Sequence, residues 1–93
     1  MDFKIKVSQR EIIIMRRIFE NSFDCLFEID SVHLYLKKEN LNEIKEDLNY
    51  IIDTVSDYFI SNGLDKKDEP TSFGLEIENL QDKFLNLLWT INT

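Results

Sequence analysis

Residues 40–62 constrain the fold more than any other part of this chain, because apolar side chains recur there at steps of three and four. That spacing places them on one face of an α-helix. The apolar face comprises Leu41, Ile44, Leu48, Ile51, Ile52, Val55 and Phe59. Gly63 follows Asn62 and predicts the end of the helix, with glycine in the left-handed conformation.

A second helix is predicted from about Thr71 to Ile91, after a polar connection over residues 64–70. Its apolar stripe comprises Phe73, Ile77, Leu80, Phe84, Leu87, Leu88 and Ile91. The two stripes predict that both helices pack on the rest of the domain.

The first part of the chain predicts a strand followed by a helix. Residues 3–7 alternate apolar and charged side chains, which is typical of a half-buried strand. Ser8 and Glu11 then form a capping box before an apolar run, and this predicts a helix over residues 9–21. The β-branched isoleucines of that run leave a strand as the alternative.

Residues 23–38 predict a β-hairpin that turns at Asp30-Ser31. With a two-residue turn, the expected pairs on the core face are Ile29–Val32, Phe27–Leu34 and Cys25–Leu36. The expected pairs on the other face are Glu28–His33 and Asp24–Lys37, each of opposite charge. The turn lacks the glycine or asparagine that tight hairpins prefer, and a longer turn would keep the strands and change their register.

These elements follow one another in the order β-α-β-β-α-α. That order predicts an α+β fold with a small antiparallel sheet and helices packed on it. A chain of 93 residues is long enough for one domain and too short for two, so residues 1–93 are expected to form a single compact domain.

Acidic side chains dominate the second half of the sequence. Residues 1–38 contain seven basic and six acidic side chains, a net charge of +1, whereas residues 39–93 contain four basic and twelve acidic ones, a net charge of −8. An acidic surface repels nucleic acid and anionic lipid and attracts a basic protein surface. We therefore expect a basic protein as partner, and neither direct nucleic-acid binding nor membrane binding.

The single cysteine, Cys25, excludes an internal disulfide and is typical of a reducing compartment. The longest N-terminal apolar run, residues 12–15, is far too short for the core of a signal peptide or for a membrane span. The expected location is the bacterial cytoplasm, or the host cytoplasm if a phage encodes the protein.

The polar side of the helix predicted over residues 40–62 is strongly acidic. At about 100° per residue, its carboxylates fall within about a third of the circumference, opposite the apolar face. We call the surface formed by Glu43, Glu46, Asp47, Tyr50, Asp53 and Asp57 the acidic ridge, and Glu39 extends it at one end. One interpretation is the solvated face of an amphipathic helix. The other is a binding surface, because lysine is nearly absent and the central aromatic is typical of interface hot spots.

Trp89 lies on the last predicted helix, away from its apolar stripe. An exposed tryptophan there would anchor either a partner or a second copy of the chain. In the second case the protein would form a homodimer through the C-terminal helix. The other interpretation is that the last helix is covered on two sides and buries Trp89.

Residue types that support catalysis or metal binding occur in unsuitable positions. The connection over residues 65–76 has the length of a calcium loop, but Lys67 and Pro70 stand where a ligand and the glycine of the turn are needed. The predicted hairpin places Cys25 and His33 on opposite faces, which excludes a catalytic dyad. We therefore expect no catalytic residue, no metal site and no cofactor, and we expect that the protein is not an enzyme.

Residues 61–80, SNGLDKKDEPTSFGLEIENL, resemble a connection found in small acidic proteins of low-GC Gram-positive bacteria and their phages. Many proteins of that group are uncharacterised, and some resemble immunity proteins or phage-encoded inhibitors. The residues of the resemblance are Gly63-Leu64-Asp65, Glu69-Pro70 and Phe73-Gly74. These residues mark the end of one helix, the turn and the start of the next helix, so the resemblance assigns no functional residue.

Two functions of different classes are consistent with these features. The first is an acidic inhibitor that occludes the basic surface of a nucleic-acid-handling protein such as a nuclease, as an immunity protein or a phage anti-defence inhibitor would. Its carboxylates would take the place of nucleic-acid phosphates. The predicted partner-binding residues are Glu43, Glu46, Asp47, Tyr50, Asp53, Asp57 and Trp89. The alternative is a self-associating structural or regulatory module with no catalytic activity.

Overall fold

Three short strands form an antiparallel sheet in the computed structural model, which describes residues 3–92. They are β1 (Lys4–Lys6), β2 (Phe27–Ile29) and β3 (His33–Leu36), and β3 lies between the other two. Together with the helices, the strands confirm the predicted α+β fold and the order β-α-β-β-α-α. The predicted domain ends, residues 1 and 93, lie outside the described residues.

Helices make up most of the rest of the chain. They are α1 (Gln9–Phe19), α2 (Phe23–Leu26), α3 (Leu41–Asn62) and α4 (Ser72–Asn92), with a 3₁₀ turn at Glu20–Ser22. The predicted capping box is confirmed, because Ser8 Oγ accepts the N–H of Glu11 and Glu11 Oε1 accepts the N–H of Ser8. The helix predicted over residues 9–21 is therefore correct, although α1 ends at Phe19, and its strand alternative is wrong.

The β2–β3 hairpin has a longer turn than the two-residue turn that the sequence predicts. The observed pairs are Phe27–Leu36, Glu28–Tyr35 and Ile29–Leu34, so the predicted register is wrong by two residues. The reason is Asp30, whose Oδ1 accepts the N–H groups of Val32 (2.9 Å) and His33 (2.7 Å). Because the shift is even, the paired residues of β2 and β3 keep their predicted faces. Val32 falls in the longer turn and is exposed, so its predicted place on the core face is wrong. His33 now lies opposite Lys6 of β1, and its predicted pairing with Glu28 is wrong.

We expect the Asp30 turn to give the fold a pH-dependent part of its stability. A hydrogen bond from Tyr35 Oη (2.6 Å), with those from the N–H groups of Val32 and His33, lowers the pKa of Asp30 to about 2. Since this pKa lies below the unfolded value of about 3.9, the ionised carboxylate stabilises the fold above about pH 4. That contribution is lost as the pH falls through about 2.

The measurement is the free energy of unfolding of the native protein and of Asp30→Asn, taken at several pH values between 2 and 7. The native protein should be the more stable one above about pH 4, and the difference should shrink towards pH 2. A difference that stays constant over this range would show that the ionised form of Asp30 does not stabilise the turn.

The chain immediately before β2 is helical rather than extended. Residues 23–26 form α2, so the predictions that Cys25 lies on the core face and that Asp24 joins a cross-strand pair are wrong. The helical turn brings the ring centroids of Phe23 and Phe27 to 5.3 Å from each other inside the core. An extended strand would separate residues four positions apart by about 13 Å, so aromatic packing favours the helical turn.

The two glycines of the chain lie against each other where α3 meets α4. Gly63 has a φ of −102°, so the predicted left-handed conformation is wrong. Thr71 holds the contact, because its N–H donates to the Gly63 carbonyl (2.9 Å) and its hydroxyl accepts the N–H of Gly74 (3.0 Å). A Cβ on Gly74 would lie only 2.0 Å from the Gly63 carbonyl oxygen. Glycine is therefore required by the close approach of the two backbones, not by a special backbone angle.

One apolar core joins the sheet to the long helices. The predicted stripes of α3 and α4 supply seven of its fully buried members, which confirms the period of both helices: Ile44, Leu48, Ile51, Val55, Ile77, Leu80 and Phe84. Leu41, the first residue of the predicted α3 stripe, is exposed instead. The solvent side of α3 is consequently held in a fixed orientation by the buried side, and this positions the candidate site.

Candidate functional site

Asn40 determines where the helix of the acidic ridge begins. Its Oδ1 accepts the N–H groups of Asn42 (2.9 Å) and Glu43 (3.3 Å), which caps α3 and makes Leu41 its first residue. Glu39 precedes this cap, so the helical position predicted for it is wrong. The acidic ridge on the helix therefore starts at Glu43.

The carboxylates of the acidic ridge lie together on the solvent side of α3. Glu43, Glu46, Asp53 and Asp57 are exposed, and Asp47 is half-buried. At 1.5 Å per residue, the surface from Glu43 to Asp57 is about 21 Å long. The structure thus brings six of the seven predicted partner-binding residues onto one helix face and leaves Trp89 on α4.

Within residues 3–92, none of the acidic-ridge carboxylates forms an ion pair. The ion pairs of this part of the chain are Arg10–Glu76, Arg16–Asp24 and Lys83–Glu11, and His33 Nδ1 lies 3.6 Å from Asp30 Oδ1. Three pairs of like charges lie about one helical turn apart instead: Glu43–Glu46, Glu43–Asp47 and Asp53–Asp57. Each such pair destabilises a helix by about 0.2–0.5 kcal/mol. No ion pair within residues 3–92 offsets this repulsion, and a cationic partner would relieve it.

Asp47 carries a further cost to stability. Its Oδ2 is shielded from solvent and has no hydrogen-bond partner in the described part of the chain. Leaving a buried acceptor unsatisfied costs about 1–3 kcal/mol, and native folds contain few such groups. An oxygen that is shielded from solvent is shielded from a partner as well, so Asp47 lowers stability without favouring either interpretation of the acidic ridge.

Tyr50, at the centre of the acidic ridge, is 52% exposed. Its ring centroid lies 6.4 Å from that of Phe19, a buried residue of α1, with the ring planes tilted by 55°. The Phe19 ring therefore supports Tyr50 from one side while much of the tyrosine stays open to solvent. An aromatic side chain that is already partly held loses little rotamer freedom when a partner covers it, which is a property of interface anchors.

Trp89 is 72% exposed, so the interpretation that the last helix buries it is wrong. Leu85 lies one helical turn before Trp89 and is exposed as well, so the two form an apolar patch on the outer side of α4. This patch is separate from the acidic ridge, because α4 packs against α3 on the apolar side of that helix.

Residues 3–92 contain no group of three or more His, Cys, Asp or Glu side chains that could hold a metal ion. In the connection tested as a calcium loop, Asp65 Oδ1 accepts the N–H groups of Lys67 (2.8 Å) and Glu69 (3.1 Å). Asp65 therefore closes its own loop by hydrogen bonds.

Sequence reasoning missed a second charged cluster, in which Lys83 joins α4 to α1 and β1. Lys83 Nζ lies 2.7 and 2.9 Å from the two carboxylate oxygens of Glu11 and donates to the Lys6 carbonyl oxygen at 2.8 Å. Lys83 and Glu11 are 72 positions apart in the chain. Periodicity and spacing report only local structure, so no sequence signal indicates this contact.

The chain matches no protein-family model, and comparison with curated proteins and with solved structures finds no similar protein. Between residues 3 and 92, no helix combines the length and apolar character that a membrane crossing requires. The function is therefore inferred from the chemistry of the surfaces described above.

Proposed function

We propose that this protein binds a basic protein through the acidic ridge and inhibits it by covering its nucleic-acid-binding surface. The observation that carries the proposal is the absence of ion pairs on the acidic ridge within residues 3–92. A run of carboxylates on a well-packed helix, with no ion pair to a lysine or arginine of residues 3–92, is an arrangement that a cationic surface complements.

The length of the acidic ridge supports a partner that ordinarily binds nucleic acid. Its carboxylates span about 21 Å from Glu43 to Asp57, a length over which one DNA strand presents about six phosphates at about 3.4 Å each. A basic groove built for a row of phosphates would therefore meet several carboxylates at once. Tyr50 would supply the apolar contact that electrostatic steering alone does not provide.

The class of partner follows from the same chemistry. A nuclease is a suitable target, because its substrate channel must carry positive charge to bind nucleic acid. Both an immunity protein that neutralises a toxin nuclease and a phage inhibitor of a host defence nuclease would work by such occlusion. Neither role requires a catalytic residue in this chain.

The test compares the native protein with two variants of equal charge. The ridge variant carries Glu43→Lys, Glu46→Lys, Asp53→Lys and Asp57→Lys, and the control variant carries Asp24→Lys, Glu28→Lys, Glu69→Lys and Asp82→Lys. All eight positions are exposed, and each variant changes the net charge from −7 to +1. Each immobilised form captures proteins from bacterial lysate, and the captured protein is then purified and titrated with the native chain and with DNA or RNA.

We expect the native and control forms to retain the same basic protein and the ridge variant to lose it. Nucleic acid should compete with the native chain for that protein, and the affinity should fall by about tenfold or more between low and high salt, because exposed charges are screened. Retention by the ridge variant, loss from both variants, or a partner for which nucleic acid does not compete would each contradict the proposal.

Self-association is the second candidate function, and the exposed patch of Trp89 and Leu85 favours it. Large apolar side chains that are adjacent and exposed mark interaction surfaces more often than isolated ones do. A sedimentation coefficient that rises with protein concentration, and that no longer rises in Trp89→Ala, would support a homodimer through α4. A monomer at all concentrations would exclude it.

A further inference from the structure

The outer edge of β1 has backbone groups available for another strand. Val7 N–H donates to the Val32 carbonyl (2.9 Å) and Leu36 N–H donates to the Phe3 carbonyl (3.0 Å). In an antiparallel pair the bonded residues alternate, so the backbone groups of Lys4 and Lys6 point away from β3. The Lys6 carbonyl accepts Lys83 Nζ, whereas among residues 3–92 the N–H and carbonyl of Lys4 and the N–H of Lys6 have no partner.

A groove of about 700 Å³ runs along this edge between β1 and α4. Lys4 to Ser8 form one wall, and the other wall includes Asn86, Leu87 and Thr90 of α4. Five residues of extended chain span about 17 Å, which is the length of wall that β1 and the residues after it provide. Helix α4 therefore leaves the edge of β1 accessible beside an apolar side chain, Leu87.

The side chains along β1 indicate what such a strand would carry. Lys4 and Lys6 are exposed on the outer face of the sheet, and Ile5 between them is buried. Acidic residues of an added strand would be stabilised where they lie beside the two lysines. The residues between them would point to the other face of the sheet, the side on which Ile5 is buried. Glu11, the acidic side chain that lines the groove, is already bonded to Lys83. Within residues 3–92, neither Lys4 nor Lys6 forms an ion pair, although Lys4 Nζ lies over the Tyr35 ring at 5.6 Å from its centroid.

We propose that the edge of β1 binds an extended segment of another protein in which acidic and apolar residues alternate. This is strand addition to an exposed sheet edge, with main-chain hydrogen bonds to Lys4 and Lys6 and opposite charges across the new ladder. A second copy of β1 is a poorer occupant, because antiparallel pairing of two β1 edges places lysines beside lysines. The site is distinct from the acidic ridge, and its charge is opposite.

The test uses the full chain and two synthetic peptides, acetyl-Glu-Val-Glu-Val-Glu-amide and its counterpart with lysine in place of glutamate. Binding is followed by backbone amide NMR shifts and by amide hydrogen exchange. The variant Lys4→Glu/Lys6→Glu is compared with Lys66→Glu/Lys67→Glu, which makes the same charge change in the exposed loop between α3 and α4.

We expect only the glutamate peptide to bind, with the amide protons of Lys4 and Lys6 exchanging about tenfold more slowly in the complex. The β1 variant should bind it about tenfold more weakly, and the loop variant should bind it as the native chain does. The proposal is overturned if the glutamate peptide does not bind, if both peptides bind equally, or if binding leaves the Lys4 amide unprotected. That last measurement is made on the native chain, so it remains decisive even where a variant is poorly folded.

Discussion

Gly74→Ala is expected to lower the free energy of unfolding by about 3 kcal/mol, although alanine is the better helix former. At an exposed position inside a helix, replacing glycine by alanine raises the free energy of unfolding by about 1 kcal/mol. Here the new Cβ would lie 2.0 Å from the Gly63 carbonyl oxygen, and a backbone atom cannot move aside as a flexible side chain can. Relief requires α3 and α4 to separate, which strains the two hydrogen bonds that the Thr71 N–H (2.9 Å) and hydroxyl (3.2 Å) donate to the Gly63 carbonyl.

Urea denaturation followed by circular dichroism measures the effect, with Asn79→Ala as the control on the same helix. Asn79 is exposed, so that substitution should change stability by no more than about 0.5 kcal/mol and in the stabilising direction. A Gly74→Ala protein as stable as the native one would mean that the helices do not meet at the two glycines.

Phe27→Ala is expected to have the largest effect on stability, a loss of about 4 kcal/mol. Phe27 is 3% exposed, and its ring centroid lies 5.5 Å from Phe19, 5.3 Å from Phe23 and 6.1 Å from Phe84. Those three rings belong to α1, α2 and α4, so removal of the Phe27 ring leaves a cavity where three helices and the sheet meet. The free energy of unfolding of a domain of this size is about 5–15 kcal/mol, so the expected loss is a large part of the total stability.

Trp89→Ala is the matched control for Phe27→Ala, because it removes a still larger aromatic ring from an exposed position. Its expected effect on the unfolding of the monomer is within about 0.5 kcal/mol. Both variants are measured by urea denaturation at low and at high protein concentration. A cost for Trp89→Ala that grows with concentration would indicate that another copy of the chain covers this side chain, whereas a small cost for Phe27→Ala would contradict the aromatic core.

Local signals in the sequence were sufficient for α1, α3 and α4. The apolar period of α3 and α4 depends only on side chains three and four positions apart. The capping box of Ser8 and Glu11 depends only on hydrogen bonds within the first turn of α1. The hairpin register was not predictable in the same way, since it depends on how the Asp30 carboxylate bonds to the turn. Either register satisfies the alternation of β2 and β3.

The candidate sites show the same division. The helical period alone places Glu43, Tyr50 and Asp57 on one face, because it requires no knowledge of neighbouring elements. Whether that face is neutralised depends on which cations fold back onto it, and the exposure of Trp89 depends on what packs beside α4. Neither property is local, so both had to be read from the structure.

By itself, the sequence determined the α+β class, the two long amphipathic helices and the grouping of carboxylates on one of them, since each follows from the period of a continuous segment. The tertiary structure alone decided the helical turn at Phe23–Leu26, the contact of Gly63 with Gly74, and the joining of Lys83 to Glu11 and β1. Those features depend on contacts between distant parts of the chain. They are selected by how well rings, backbones and charges fit once the core has formed, and no local pattern contains that information.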